Sequence, residues 1–161
     1  MFFVVVLIAF FLLLLLLLLL LCCCSPQTRQ FGQVQALGPF KKIQDERCSF
    51  SRAVINGSLI ESTSYVRNRQ RNNFTVRTSS GFALVEEFFG DQATSQVQSR
   101  VRVLVPHHNP SFEKAPLISG FLCSDHHQTI DAREISEGPL ICVSKTGVFH
   151  IIALPFSPET R

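Results

Sequence analysis

Residues 49–66, SFSRAVINGSLIESTSYV, are two short β-rich runs separated by Asn56-Gly57. Asn-Gly is the pair that best tolerates positive φ at both centres of a type I′ turn, whose twist matches an antiparallel hairpin. The stretch therefore predicts a hairpin of Ser49 to Ile55 against Ser58 to Val66. The pattern recurs downstream. Asn73 to Thr78 and Phe82 to Phe89 flank Ser79-Ser80-Gly81, and Leu140 to Ser144 and Val148 to Leu154 flank Lys145-Thr146-Gly147. Val97 to Val105 alternates, with Val97, Val101, Val103 and Val105 on one face and Gln98, Arg100 and Arg102 on the other. A period of two marks a half-buried strand.

The intervening segments are less periodic. Pro106 to Pro116 is punctuated by prolines and predicts a loop, and Leu117 to Cys123 predicts a strand. Asp125 to Gly138 is polar, with room for one helical turn around Ala132 to Ser136. Pro26, Gly32, Gly38 and Pro39 interrupt any pattern before Arg47, so residues 25–48 are expected to be a linker. The expected fold is all-β: a small antiparallel sandwich or partly closed barrel of about seven to eight short strands. It would occupy residues 49–158, with 159–161 as a tail.

What precedes the linker is different in kind. Of the 161 residues, Met1 to Cys24 are all apolar, and every Lys, Arg, Asp and Glu lies beyond them. As a helix rising about 1.5 Å per residue, this run would be roughly 36 Å long, against a hydrocarbon core of about 30 Å. No core of a domain this size would bury a helix that is apolar all round. Residues 1–24 are expected to be one N-terminal transmembrane helix or signal-anchor, with residues 2–24 in the lipid bilayer. A cleaved secretory signal fits less well, since the run is too long and lacks a basic start. A translated low-complexity repeat fused upstream of the domain is the third reading. Gly and Pro number only 8 each, and three of the 6 Cys lie in the apolar run. That composition excludes collagen-like and disulfide-dense classes for the remainder.

Orientation follows from flanking charge. Arg29, Lys41 and Lys42 follow the run and nothing basic precedes it, which places the soluble part in the cytosol. In that compartment Cys22, Cys23 and Cys24 are candidates for S-palmitoylation. If the domain is lumenal instead, Asn56 and Asn73, in the sequons Asn56-Gly57-Ser58 and Asn73-Phe74-Thr75, become glycosylation sites. Of Cys48, Cys123 and Cys142, two would pair and leave one over in a lumenal domain, whereas all three would stay reduced in the cytosol.

The sharpest candidate site is basic. Arg67, Arg69 and Arg71 recur every second residue, so an extended chain would turn all three to one side. With Arg77, and with Arg100 and Arg102 from a neighbouring strand, they would form a stripe for nucleic-acid phosphates, and Tyr65 or Phe74 would add base stacking. The competing account is a solvated sheet face, and a net charge of only +3 favours it. His107, His108, Cys123, His126, His127, Cys142 and His150 lack the paired spacing that zinc sites use, so neither a metal nor a cofactor is expected. Glu86 and Glu87, adjacent in a strand, should face apart rather than form an acid/base pair. No nucleophile elbow, phosphate loop or H-E-x-x-H occurs, and the chain is not expected to be an enzyme.

The run from Phe50 to Tyr65, then RQRNNFTV at 69–76 and the strand GFALVEEFF at 81–89, resembles a β-rich C-terminal domain found downstream of the transposase core in CACTA-type transposon proteins. The resemblance spans about residues 49–158. It implies a mobile-element origin and an accessory role touching nucleic acid, with no catalytic residue to carry over. The chain departs from that pattern by lacking a transposase core and by having a membrane-type segment in its place. Three functions are thus expected in order: a membrane-anchored, non-catalytic interaction module; a nucleic-acid-binding accessory domain using Arg67, Arg69, Arg71 and Arg77; and a lumenal or secreted glycoprotein.

Overall fold

The computed structural model describes residues 27–44, 46–65, 73–107, 118–145 and 147–152. The transmembrane expectation for residues 1–24, the cysteine triplet and the 159–161 tail lie outside these residues. Among those described, no helix is long and apolar enough to cross a membrane.

Among the described residues twelve strands, rather than the expected seven to eight, follow one another: β1 (Thr28–Phe31), β2 (Val34–Leu37), β3 (Lys41–Gln44), β4 (Arg47–Phe50), β5 (Arg52–Ile55), β6 (Ser58–Glu61), β7 (Thr75–Thr78), β8 (Gly81–Asp91), β9 (Gln96–His107), β10 (Ile118–Asp131), β11 (Cys142–Lys145) and β12 (Val148–Ile152). All pairings are antiparallel and neither sheet is closed. A four-stranded sheet runs β1-β2-β5-β6. An eight-stranded sheet runs β11-β12-β10-β9-β8-β4-β3, with β7 beside β8. The protein is therefore all-β, as its alternation predicts.

The three predicted hairpins form. At Asn56-Gly57 the φ angles are 51° and 77°, the left-handed pair a type I′ turn requires. The strand expected over Ser49 to Ile55 is divided at Ser51. Its first part, β4, joins the large sheet, and its second, β5, joins the small one. Two expectations are corrected. Residues 25–48 are not all linker: β1 and β2 form a hairpin across Gly32-Gln33, burying Phe31, Val34 and Ala36, and β3 follows. Gly32 interrupts the pattern because it is the turn itself, at φ 55°. Likewise Asp125–Asp131 belongs to β10, and only Ala132–Glu134 makes a short 3-10 turn, capped by the Asp131 side chain.

The main core draws on both sheets. Phe31, Val34, Ala36, Ala53, Ile55 and Ile60 of the small sheet meet Phe50, Val85, Phe88, Val97 and Val101 of the large one. Phe31, Phe50 and Phe88 form a stack with centroid separations of 6.1 and 5.5 Å. Gly90 is where this stack needs the backbone close, since a Cβ there would lie 2.6 Å from the Phe31 ring.

A second cluster sits on the reverse face of the large sheet. Leu84, Leu104, Phe121 and Ile151 are buried there, with Phe74, Phe82, Leu140 and Phe149 packed against them. The buried face therefore changes along β9. Val97 and Val101 are sealed as expected, but Val105 of the same face is 41% exposed, while Leu104 on the opposite face is buried. Alternation assigns residues to faces correctly; the covering element decides which face is dry.

Candidate functional site

Two register slips lie side by side where the buried face changes. In β8, Val85 pairs with Val101 but Glu87 already pairs with Arg100, so Glu86 is an inserted residue. In β10, Cys123 pairs with Leu104 and His127 with Arg102, leaving Ser124 to His126 bulged opposite Val103. The Ser124 hydroxyl secures that bulge by donating to the Val103 carbonyl at 2.7 Å. Bulges bend a strand and re-aim its side chains. Here the result is a polar cluster. Glu86 accepts from Arg102 Nε at 2.9 Å, lies 2.9 Å from His127 Nδ1 and is ion-paired to Arg100 at 3.4 Å. Glu87 holds the other side of Arg100 at 3.3 Å. The two glutamates thus converge on one arginine, contrary to the expectation that adjacent strand residues face apart, because the bulge breaks the alternation between them.

Electrostatics follow from this packing. Burial alone pushes the Glu86 carboxyl up, but hydrogen bonds from His127 and Arg102, with their charges, outweigh it and hold the group below its ordinary range. The Glu86 carboxylate in turn raises Arg102, with a smaller contribution from the Cys123 thiol 3.9 Å away. A carboxylate fixed in its ionised form between cations orients them and is a poor proton donor.

Arg77, Arg100 and Arg102 do share the face on which the sequence placed them together, through the pairs Arg77↔Phe82 and Leu84↔Arg102. Each has an acidic partner, Arg77 through Glu137 at 3.4 Å, and Arg77 also lies over the Phe82 ring at 4.9 Å. Arg67, Arg69 and Arg71 lie outside the described residues. Tyr65 stacks under Arg52, its ring centroid 4.7 Å from the guanidinium, and Phe74 packs into the second apolar cluster. Asn56 is exposed in its turn and donates to the Ile135 carbonyl; Asn73 donates to Glu61. Among the described residues Cys48, Cys123 and Cys142 form no disulfide, and no group of His, Cys, Asp and Glu is placed to hold a metal ion.

A second surface went unnoticed in the sequence. On the face that buries Val97 and Val101, the far end of the large sheet is open. Val105 is directly opposite Leu122, Leu122 opposite Val148, and Val143 opposite His150. Val105 and Leu122 are 41% and 38% exposed, and Val143 of the outer strand is 55% exposed. Three apolar side chains thus share one uncovered sheet face. No sequence signal marks it, because β-rich strands look alike whichever face is covered.

No protein-family model matches this chain, and no curated protein or solved structure is similar enough to count as a match.

Proposed function

We propose that the chain is a single-pass membrane protein whose β-rich domain faces the cytosol and acts as a non-catalytic interaction module. The observation that carries the interaction role is the open apolar face of Val105, Leu122 and Val143. Apolar side chains that are contiguous on a surface, unlike singly scattered ones, are often a functional contact. Four strands at about 4.8 Å spacing give this face an area on the order of 200 Å². That is well short of the roughly 800 Å² per partner of a standard protein interface. It suits a short, extended apolar segment of a partner protein rather than a whole domain. The neutralisation of Glu86 by Arg100, Arg102 and His127 supports the non-catalytic part of the reading. The mobile-element resemblance belongs beside it as a proposal for where the domain comes from.

Alkaline carbonate extraction tests the anchor: the chain is expected in the membrane pellet, and its release would remove the membrane reading. A mass decrease after enzymatic removal of N-glycans would put Asn56 and Asn73 in the lumen and reverse the orientation. For the apolar face the probe is anilinonaphthalene sulfonate. Leu122→Lys with Val143→Lys is expected to reduce dye binding several-fold at unchanged β-sheet circular dichroism, and undiminished binding would place the sticky surface elsewhere.

A further inference from the structure

Where the chain enters the described fold, an unusual strand edge sits beside it. The Gln27 carbonyl accepts from Gly38 N–H at 2.7 Å, which brings the start of the domain next to the residues that lead into β3. Only Ser25 and Pro26 separate Cys24 from Gln27, a reach of about 10 Å even fully extended. If residues 2–24 cross a bilayer, β3 is held near its surface.

The composition of β3 suits that position. It is an outer strand of the large sheet, bonded only to β4, and all four of its residues are exposed. A register slip between Lys42 and Gln44 leaves Ile43 without an opposite residue, and its side chain is 50% exposed. Lys41 and Lys42 form no ion pair with any described residue, unlike Arg77, Arg100 and Arg102 on β7 and β9 nearer the middle of the sheet. Arg29 lies over the Phe40 ring at 4.6 Å and shares a shallow groove of about 210 Å³ with Lys42, Glu46 and Arg47, so three cations there face one carboxylate. In sequence Asp45 and Glu46 come after the lysines, so the lysine end of β3 is the one nearest the chain's arrival.

Lysines and a bulge on an edge strand also discourage pairing with other strands. That role explains the charge, yet not why an isoleucine is the residue pushed outward directly after two lysines. Cations beside an exposed apolar side chain match the layered chemistry of a membrane surface, with anionic headgroups outside and acyl chains just beneath.

We propose that β3 rests on the bilayer: Arg29, Lys41 and Lys42 meet the phosphates of anionic phospholipids, and Ile43 reaches the acyl boundary. This builds on the reading of residues 2–24 as an anchor and gives the domain a fixed orientation. The open face of Val105, Leu122 and Val143, on strands at the other end of the sheet order, is thereby kept for a partner.

The chain contains no Trp, so Ile43→Trp introduces a single fluorescent reporter at an exposed site. The full-length variant is reconstituted into phosphatidylcholine vesicles with or without about 30% phosphatidylserine. In the anionic vesicles its emission is expected to move to the blue and to be quenched by lipids brominated on the acyl chain. Each lysine near such a surface strengthens the contact roughly five-fold. Adding Lys41→Gln and Lys42→Gln should therefore lower the docked-to-undocked ratio by roughly 25-fold and abolish most of the quenching. Val143→Trp, made separately, should stay accessible to acrylamide in both vesicles. If the chain floats with both vesicle types while Ile43→Trp is unquenched and indifferent to phosphatidylserine, the docked edge is wrong and the anchor stands. If the chain floats with neither, both fall.

Discussion

In the first half of β9, Val97 and Val101 are sealed beneath the four-stranded sheet; in the second half, Val105 on the same face is exposed and Leu104 on the reverse is buried. One continuous strand thus serves two cores on opposite sides. The change happens beside the inserted Glu86 and the Ser124–His126 bulge, where the strands bend and a band of ion pairs occupies the transition. The first region is closed on its apolar face and charged on its outer one. The second is closed on the outer face and left apolar on the inner. Hydrophobic alternation reports which side chains travel together; a separate layer decides which set leaves water.

That contrast can be broken at its strongest point first. Phe88, buried completely and stacked on Phe50 at 5.5 Å, belongs to the closed region. Phe88→Ala should cost about 3–5 kcal/mol by the usual sum of lost burial and cavity formation, measured by urea denaturation. A loss under about 1 kcal/mol would mean that the two sheets do not share a tight core.

The transition itself is tested at Glu86. Its side chain is 12% exposed, while Arg100, Arg102 and His127 are 48%, 40% and 45% exposed, so water screens much of the attraction. Glu86→Gln is expected to lower stability by about 1 kcal/mol at about pH 6. Because the folded carboxyl titrates below its ordinary value of 4.5, its contribution is complete above that value and is lost as pH falls through the lower folded one. The gap between wild type and Glu86→Gln should therefore close in acid. A gap that is constant with pH would show that the charge is not what matters.

The open region gives the smallest effect. Leu122→Ser removes an apolar side chain that is already 38% exposed, and it should cost under about 1 kcal/mol, since only part of a leucine's transfer energy is gained there. A cost rivaling that of Phe88→Ala would mean that something in the isolated chain covers the face.

Much of the architecture was legible beforehand because hairpin turns have local chemistry. Asn56-Gly57 and Gly147 adopt positive φ, and the strands on either side pair as their sequence requires. The first three strands were hidden because glycines at 32 and 38 read as breaks, although the first is a turn centre and the second lies between strands. The later part of β10 was hidden because Asp125, His126 and His127 are polar, a composition loops and solvent-facing strands share. The shared face of Arg77, Arg100 and Arg102 followed from parity, but their neutralisation did not: one inserted residue swings Glu86 beside Glu87, and parity has no term for insertions. The open apolar face depends on the extent of the small sheet, which is a long-range fact about β1, β2, β5 and β6.

Hydroxyl-radical footprinting of the purified full-length chain tests the face reversal most directly, residue by residue. Oxidation is expected to be strong at Val105, Leu122, Ile141 and Val143 and many times weaker at Val85, Val97 and Val101. Equal labelling of Val101 and Val105, or protection of both, would contradict a sheet that changes its buried face along its length.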